Sequence, residues 1–294
     1  MTTEYRIAVD HAVCRTCGLC TEVCIHEKLQ QPDKQAPPIV VEDMDCIACG
    51  HCVAMCPSGA LSHSAFGPGS IQPLHLELLP SPEQMMEALR ARRSFRMFKD
   101  EPIARDVLEQ VVEAARLAPS AHNTQTTSFI MVTDPEMLER VVDLTVKFLD
   151  GMSQYFRHPV KGRIARMMGG DFVRGVLEMV PVFEGVVELA HEGHELPMLL
   201  QAPAWMVFYS DKSAGYATVN ASLAMQNAML MAQSLGLGSF YTGFLLVPTM
   251  RGFLMHDLLG LGHDQEIHGA LALGVPKASY KNWPSKKPAR IRWI

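Results

Sequence analysis

The chain has 294 residues, of which 48% are apolar, so it can bury one large core and carry a small second domain. Its formal charge of -5 argues against a nucleic-acid-binding surface. No apolar run reaches the length of a membrane span; the most apolar stretch, residues 221–237, is broken by Gln226, Asn227 and Gln233. No apolar signal segment opens the chain, so the reading at this level is a protein of the reducing cytoplasm.

All eight cysteines fall in the first 56 residues. They form two runs, Cys14-x-x-Cys17-x-x-Cys20-x-x-x-Cys24 and Cys46-x-x-Cys49-x-x-Cys52-x-x-x-Cys56-Pro57. Structural zinc usually takes two pairs of ligands, and three closely spaced cysteines per repeat fit that poorly. Disulfides suit short secreted chains. The doubled spacing closely resembles bacterial two-cluster ferredoxins. That resemblance implies two [4Fe–4S] clusters with crossed ligation. One would take Cys14, Cys17, Cys20 and Cys56; the other Cys46, Cys49, Cys52 and Cys24. Two departures stand out: Ile25, not proline, follows Cys24, and a Pro-containing segment, residues 31–38, separates the runs. His51, between Cys49 and Cys52, reads as solvent-facing or as a hydrogen-bond donor to a cluster rather than a ligand.

The cysteine module is expected to span 1–66 and a linker 67–81, with the breaker cluster Gly67-Pro68-Gly69-Ser70 at its start. A second domain, 82–294, opens on a helix signature: Ser81 as N-cap, Pro82 at the first position and Gln84 completing a capping box, with the helix running to about Arg92. Helical spacing continues from Ile103 to Ala118, and Pro119 stops it. A strand is predicted at 129–133, a helix from Pro135 to about Leu149, and a strand at 204–209. A long helix follows from Ala217 to Leu235, ended by Gly236 and Gly238. A short strand near Phe240, a helix over 250–259 and a strand at 267–273 complete the pattern, and a Pro- and Lys-rich tail follows Pro276. The order is mixed α and β, and no Gly-x-Gly-x-x-Gly fingerprint follows a first strand, so a Rossmann domain is not indicated.

Four segments of this second domain resemble the FMN-dependent nitroreductase family. They are Arg92-Arg93-Ser94-Phe95-Arg96-Met97-Phe98, residues 118–125 (Ala-Pro-Ser-Ala-His-Asn-Thr-Gln), residues 224–239 ending in Gly238-Ser239, and Leu273-Gly274-Val275-Pro276 with the basic tail. The fold class implied is α+β: a small ferredoxin-like 2[4Fe–4S] domain followed by a nitroreductase-like FMN domain with a central sheet packed by helices. Arg92, Arg93, Ser94 and Arg96 suit a flavin phosphate, since guanidinium groups and a hydroxyl bind a dianion through charge-assisted hydrogen bonds. Lys286, Lys287 or Arg290 would add charge. The resemblance further assigns Asn123 and Gln125 to the polar edge of the flavin ring, Pro119 and Ser120 to the flavin of a partner subunit, and Gly238 and Ser239 to the ring's other edge. The alternative roles are loop capping for Asn123 and Gln125 and an ordinary helix C-cap for Gly238. It also implies a homodimer with two shared sites. Where relatives often continue with Pro-Trp, this chain has Thr126-Thr127, so the substrate pocket is expected to differ.

Residues 150–200 read as a helical lid over the flavin or a packing insert at a dimer surface. His191-Glu192-Gly193-His194-Glu195 does not match the His-Glu-x-x-His metal motif and reads as a solvated loop. His122 reads as a structural loop residue with proton donation as the alternative, and Met225, Met229 and Met231 as core. The function expected is an iron–sulfur flavoprotein oxidoreductase that reduces a small organic acceptor: a nitroaromatic, a quinone or an activated double bond. Its electrons would come from an external ferredoxin-like carrier or from NAD(P)H. The alternative is a non-catalytic relay or redox sensor serving a partner protein. No catalytic acid is identifiable.

Overall fold

A computed structural model describes residues 5–67, 69–168, 170–193, 202–250 and 253–294. The chain divides into two compact units. The first is Met1–Pro80 together with Ala121–Thr124, and the second is Ser81–Ser120 with Gln125–Ile294.

The first unit is a sequence repeat made visible. Strand β1 (Ile7–Val9), helix α1 (Leu19–Glu22) and strand β2 (Leu29–Gln30) are answered by β3 (Ile39–Val40), α2 (His51–Met55) and β4 (Leu61–His63). The first and last strands pair antiparallel with Ala8 opposite Ser62, and the inner two with Leu29 opposite Val40. Each helix begins after a glycine in the left-handed region, Gly18 (φ 77°) and Gly50 (φ 75°). A Cβ on Gly50 would also stand 2.9 Å from the Phe66 ring, so the position excludes side chains on two counts. The hydrophobic cluster of this unit is Cys20, Leu29, Cys52, Val53 and Leu61, two of them cysteines. Apolar burial of that size is thin support for an independent unit.

The second unit contains helices α3 (Pro82–Ala91), α4 (Arg105–Arg116), α5 (Pro135–Arg157), α6 (Lys161–Met168), α7 (Gly170–His191), α8 (Ala217–Ser234) and α9 (Leu254–Leu259). Its strands are β5 (Ser128–Val132), β6 (Ala204–Asp211), β7 (Gly238–Tyr241) and β8 (Gln265–Gly274), in the order β5-β6-β8-β7 with every pairing antiparallel. The period-2 alternation of β6 feeds both faces of the sheet. Ala204, Met206 and Phe208 pack with Leu108, Val111 and Ala115 of α4 and with an alanine stripe of α8. That stripe, Ala221, Ala224, Ala228 and Ala232, recurs at helical spacing and lets α8 lie close to the strands. Trp205 and Val207 face the other way, into a core shared with Val141, Val142 and Leu149 of α5 and Phe183, Val186 and Val187 of α7.

Several boundaries differ from the sequence expectation. Helix α5 runs on past Leu149 to Arg157, because Leu149, Ser153 and Phe156 continue its buried stripe and Pro159 halts it only later. Helix α4 starts at Arg105 and ends at Arg116, two residues inside each predicted limit. Of the helix predicted over 250–259, α9 takes Leu254–Leu259, and a 3-10 stretch, Gly243–Met250, precedes it; residues 251 and 252 lie outside the described residues. The linker holds a 3-10 turn at Leu76–Leu78, and α3 carries the full capping box of Ser81 and Gln84. In the insert, α7 supplies core side chains and is tied to α5 by a two-pronged Arg157–Glu184 pair, with N···O distances of 2.6 Å. His194 and Glu195 lie outside the described residues, while His191 ends α7 and Gly193 turns the chain at φ 71°. Among the described residues no helix is long and apolar enough to cross a membrane.

Candidate functional site

The eight cysteines are brought together in two crossed sets. Cys14, Cys17, Cys20 and Cys56 line one cavity. Burial raises the Cys20 thiol above its ordinary value, and Cys56, Cys17 and Cys14 act on it electrostatically in the same direction. Cys52 is pushed up to about 11, first by burial and then by Cys49, Cys24 and Cys46. The last cysteine of each run therefore stands with the first three of the other. Burial also raises Cys56, but hydrogen bonds from Ser58, Ala60 and Gly59 outweigh it and hold this thiol low, which favours the thiolate that binds metal.

Among the described residues, no three cysteine, histidine or acidic side chains converge as one metal ion requires. Cys14, Cys17, Cys20 and Cys56 instead ring one cavity. They suit a cubane, in which each sulfur binds a different iron.

The backbone of each run is wound to aim N–H groups at sulfur. Thr16 (φ 54°) and Ala48 (φ 50°) hold equivalent left-handed positions. Their amides donate to Cys14 Sγ and Cys46 Sγ, both at 3.4 Å. Ala60 N–H donates to Cys56 Sγ at 3.2 Å. His51 is exposed. A different histidine, His63, is buried and sits 3.3 Å from Cys46 Sγ through Nε2. Burial pulls its pKa below the usual value. A lone histidine after the second repeat carries no sequence pattern, which is why it escaped notice.

Asn123 belongs to this first unit. Its Nδ2 donates to the carbonyls of Ile47 (3.2 Å) and Ala48 (2.8 Å), inside the Cys46–Cys49 loop. Asn123 Nδ2 is thus directed at the cysteine loop of its own unit, a contact that the expected flavin-edge role did not include. His122, Asn123 and Gln125 all have positive φ, between 48° and 54°. Gln125 is exposed, and its N–H donates to Ser120 Oγ at 2.9 Å, a loop-closing bond.

In the second unit, the chain leaves α3 at Arg92 and runs as an extended segment beside the sheet. Phe95 N–H donates to Ser239 O (2.9 Å) and Lys99 N–H to Val275 O (2.8 Å). A cavity of about 620 Å³ opens there, lined by Arg92, Arg93, Gly238, Ser239, Tyr280 and Trp283 among others. That volume is within the usual range for a small-molecule site. Arg92 and Arg93 are half-buried, whereas Ser94 and Arg96 are exposed. Arg96 lies over the Phe240 ring at 5.5 Å. Ser94 bridges to Ser239, placing it at the same edge. A Cβ on Gly238 would stand 2.9 Å from Phe95, so glycine is needed there for packing. Gln233, which also lines the cavity, has a buried Oε1 with no partner, an acceptor awaiting a donor.

Lys286, Lys287 and Arg290 do not line this cavity; they are exposed on a tail without regular structure. Pro119, Ser120, Asn123 and Gln125 do not line it either. The tail contributes instead through Tyr280, whose ring lies 5.9 Å from the Arg93 guanidinium, and Trp283, 5.1 Å from that of Arg90. Aromatics facing arginines nearly two hundred residues away leave no local pattern to read.

Crossed cysteine sets in one unit and an arginine-lined cavity in an α+β unit define a protein of the metal-cluster-plus-cofactor class. Residues 89–275 match the nitroreductase family and residues 6–57 match the 4Fe-4S dicluster domain. The chain thus belongs to the nitroreductase family and carries a dicluster domain at its front. It is 27% identical over 195 residues to an Archaeoglobus fulgidus protein provisionally named NADH dehydrogenase/NAD(P)H nitroreductase, covering 66% of this chain and 87% of that protein. It is 32% identical over 199 residues to iodotyrosine deiodinase 1 of Rattus norvegicus, covering 66% of this chain and 62% of the deiodinase. A solved nitroreductase of Bacteroides fragilis, with bound FMN, shares the fold at a TM-score of 0.51 and 21% identity, over 72% of this chain and 98% of that one.

Proposed function

We propose that this chain is an iron–sulfur flavoprotein oxidoreductase, with two [4Fe–4S] clusters and one FMN, that reduces a small organic acceptor. The observation that carries this reading is the joint presence of two crossed thiol sets and the Arg92–Arg93 cavity in one polypeptide. The FMN named in the Bacteroides fragilis structure agrees with it, while the nicotinamide donor in the name of the Archaeoglobus fulgidus relative marks the competing source of electrons.

Cys14, Cys17, Cys20 and Cys56 would hold one cluster, and Cys24, Cys46, Cys49 and Cys52 the other. Arg92 and Arg93 would neutralise the flavin phosphate, assisted by Ser94 and Arg96 at the cavity edge. Ser239, buried with its carbonyl fixed by Phe95, keeps the floor rigid. Gln233 Oε1 would accept a hydrogen bond from the bound group. Bound FMN supplies the ability to take electrons singly and release them in pairs, which is what a cluster module and a two-electron acceptor need. Protons would be drawn from solvent. The active form is a homodimer, and electrons arrive from a ferredoxin-like carrier.

Anoxic purification followed by iron, sulfide and flavin analysis tests the reading. About eight irons and one FMN per chain are expected. Protein lacking either group defeats it. Turnover with menadione or a nitrofuran tests the enzyme assignment: reduced protein that hands electrons only to a partner protein is a relay instead. Rapid flavin bleaching by NADPH alone, with no carrier, would overturn the choice of donor.

A further inference from the structure

The second thiol set has a feature that the repeat does not produce. Each run has its left-handed residue aiming an amide at the first cysteine, Thr16 at Cys14 and Ala48 at Cys46. Among the described residues, the second set's first cysteine alone also faces a buried imidazole, with His63 Nε2 at 3.3 Å from Cys46 Sγ. The proton on that ring can be located. His63 Nδ1 accepts the backbone N–H of Ala65 at 3.1 Å, so Nδ1 is the unprotonated nitrogen and Nε2 carries the hydrogen. The contact is therefore an N–H donated to sulfur.

The ring is held in place from both sides. Tyr5 lies 5.5 Å away and Phe66 5.1 Å away, centroid to centroid. Phe66 in turn packs where Gly50 has no side chain. On the sulfur's side, Asn123 fixes the Ile47 and Ala48 carbonyls, and with them the peptide whose N–H also points at Cys46.

We propose that His63 is a positioning residue that sets the potential of one cluster: its Nε2–H bond to Cys46 raises the potential of the Cys24/Cys46/Cys49/Cys52 cluster. The inference rests on the cluster assignment proposed above. Reduction adds one electron, and negative charge, to a cluster and its sulfurs. A donor aimed at a ligand sulfur stabilises the reduced form more than the oxidised one and raises the potential. The first set has its own donors at Cys56, from Ala60 and Ser58, but no imidazole.

The test uses the full chain with its clusters, titrated with dithionite and followed by EPR. Wild-type protein should show two separate one-electron steps. His63→Phe keeps the aromatic packing and removes the donor. One step, that of the cluster held by Cys46, should become about tenfold less favourable, ~59 mV for one electron, with the other step unmoved. His63→Gln, which restores an N–H, should recover part of the shift, and His51→Ala should change neither step. Unchanged potentials in His63→Phe at full iron content, or an equal shift of both, would overturn the proposal. Should His63→Phe lose iron, wild-type protein labelled with 15N-histidine still decides the matter. A nitrogen coupling to the reduced cluster supports the bond, provided it survives His51→Ala. Its absence rules the bond out. Protein that binds no iron at all would sink the cluster assignment itself, an outcome distinct from clusters present without the coupling.

Discussion

The two units solve the problem of staying folded in opposite ways. The second buries both faces of a four-stranded sheet under helices, with Trp205, Met206, Phe208, Leu271 and Leu273 at 2% exposure or less. The first has a cluster of five buried residues, of which Cys20 and Cys52 are two. Hydrophobic burial accounts for the one, whereas the other needs its thiols bridged by something they bind. The lesson is that the same chain should have one metal-dependent and one metal-independent half.

Iron removal is the harshest way to break that contrast. Anoxic chelation should abolish amide-exchange protection across β1 to β4 and leave β6 and β8 protected. Retained protection in the first unit of iron-free protein would show that its small apolar core suffices. A narrower version is Cys56→Ala, which removes a thiol from the set containing Cys14. Iron should fall by about half, with flavin content unchanged. Loss of the second set's signal instead would mean that the ligation is not crossed.

In the second unit the corresponding weak point is a close contact rather than a metal. Gly238→Ala places a Cβ 2.9 Å from the Phe95 ring, whose backbone is itself fixed to Ser239. Overpacking of this kind costs about 1–3 kcal/mol and should lower the thermal midpoint of the flavin-domain transition only. Adding Phe95→Leu should recover much of the loss. If the double variant is no better than the single one, the glycine serves the cavity and not the packing.

These contrasts were unevenly legible in the sequence. The cysteine runs were legible through their spacing, because three ligands of each set are local, whereas the crossing of the fourth came from the resemblance to two-cluster ferredoxins. The strands of the second unit were readable one by one from apolar runs. Their order was not, since β8 inserts between β6 and β7 and no local signal records that. The contact of Asn123 with the cysteine loop was not legible for a related reason: its partners, Ile47 and Ala48, lie more than seventy residues earlier. The arginine segment was legible because one stretch, 92–96, carries its charge. The tail's part in the cavity was not legible, because charge in a sequence does not say which way an unstructured segment lies, and it is Tyr280 and Trp283 that line the cavity.

Arg92→Ala sharpens the division of labour between the units. Losing one charge-assisted contact should weaken FMN binding about tenfold to a hundredfold, read by flavin release on dilution, while iron content stays constant. Flavin content equal to wild type would mean that the cavity holds something else.

The smallest effect expected is at Trp283, and it asks how far the tail belongs to the site. Arg90 sits 5.1 Å from the indole centroid, and both side chains are partly exposed, so the pair contributes about 0.5–1 kcal/mol. Trp283 lines the cavity without any regular structure to hold it there, so this contact and that of Tyr280 with Arg93 are the anchors that keep the segment against the arginines. Trp283→Ala should therefore loosen the wall and weaken FMN binding by a few-fold, with no change in iron and little change in thermal midpoint. Trp283→Phe keeps an aromatic face, though a smaller one, and should restore most of the affinity. An affinity loss in Trp283→Ala as large as that of Arg92→Ala would show that the indole touches the cofactor directly rather than steadying the wall around it.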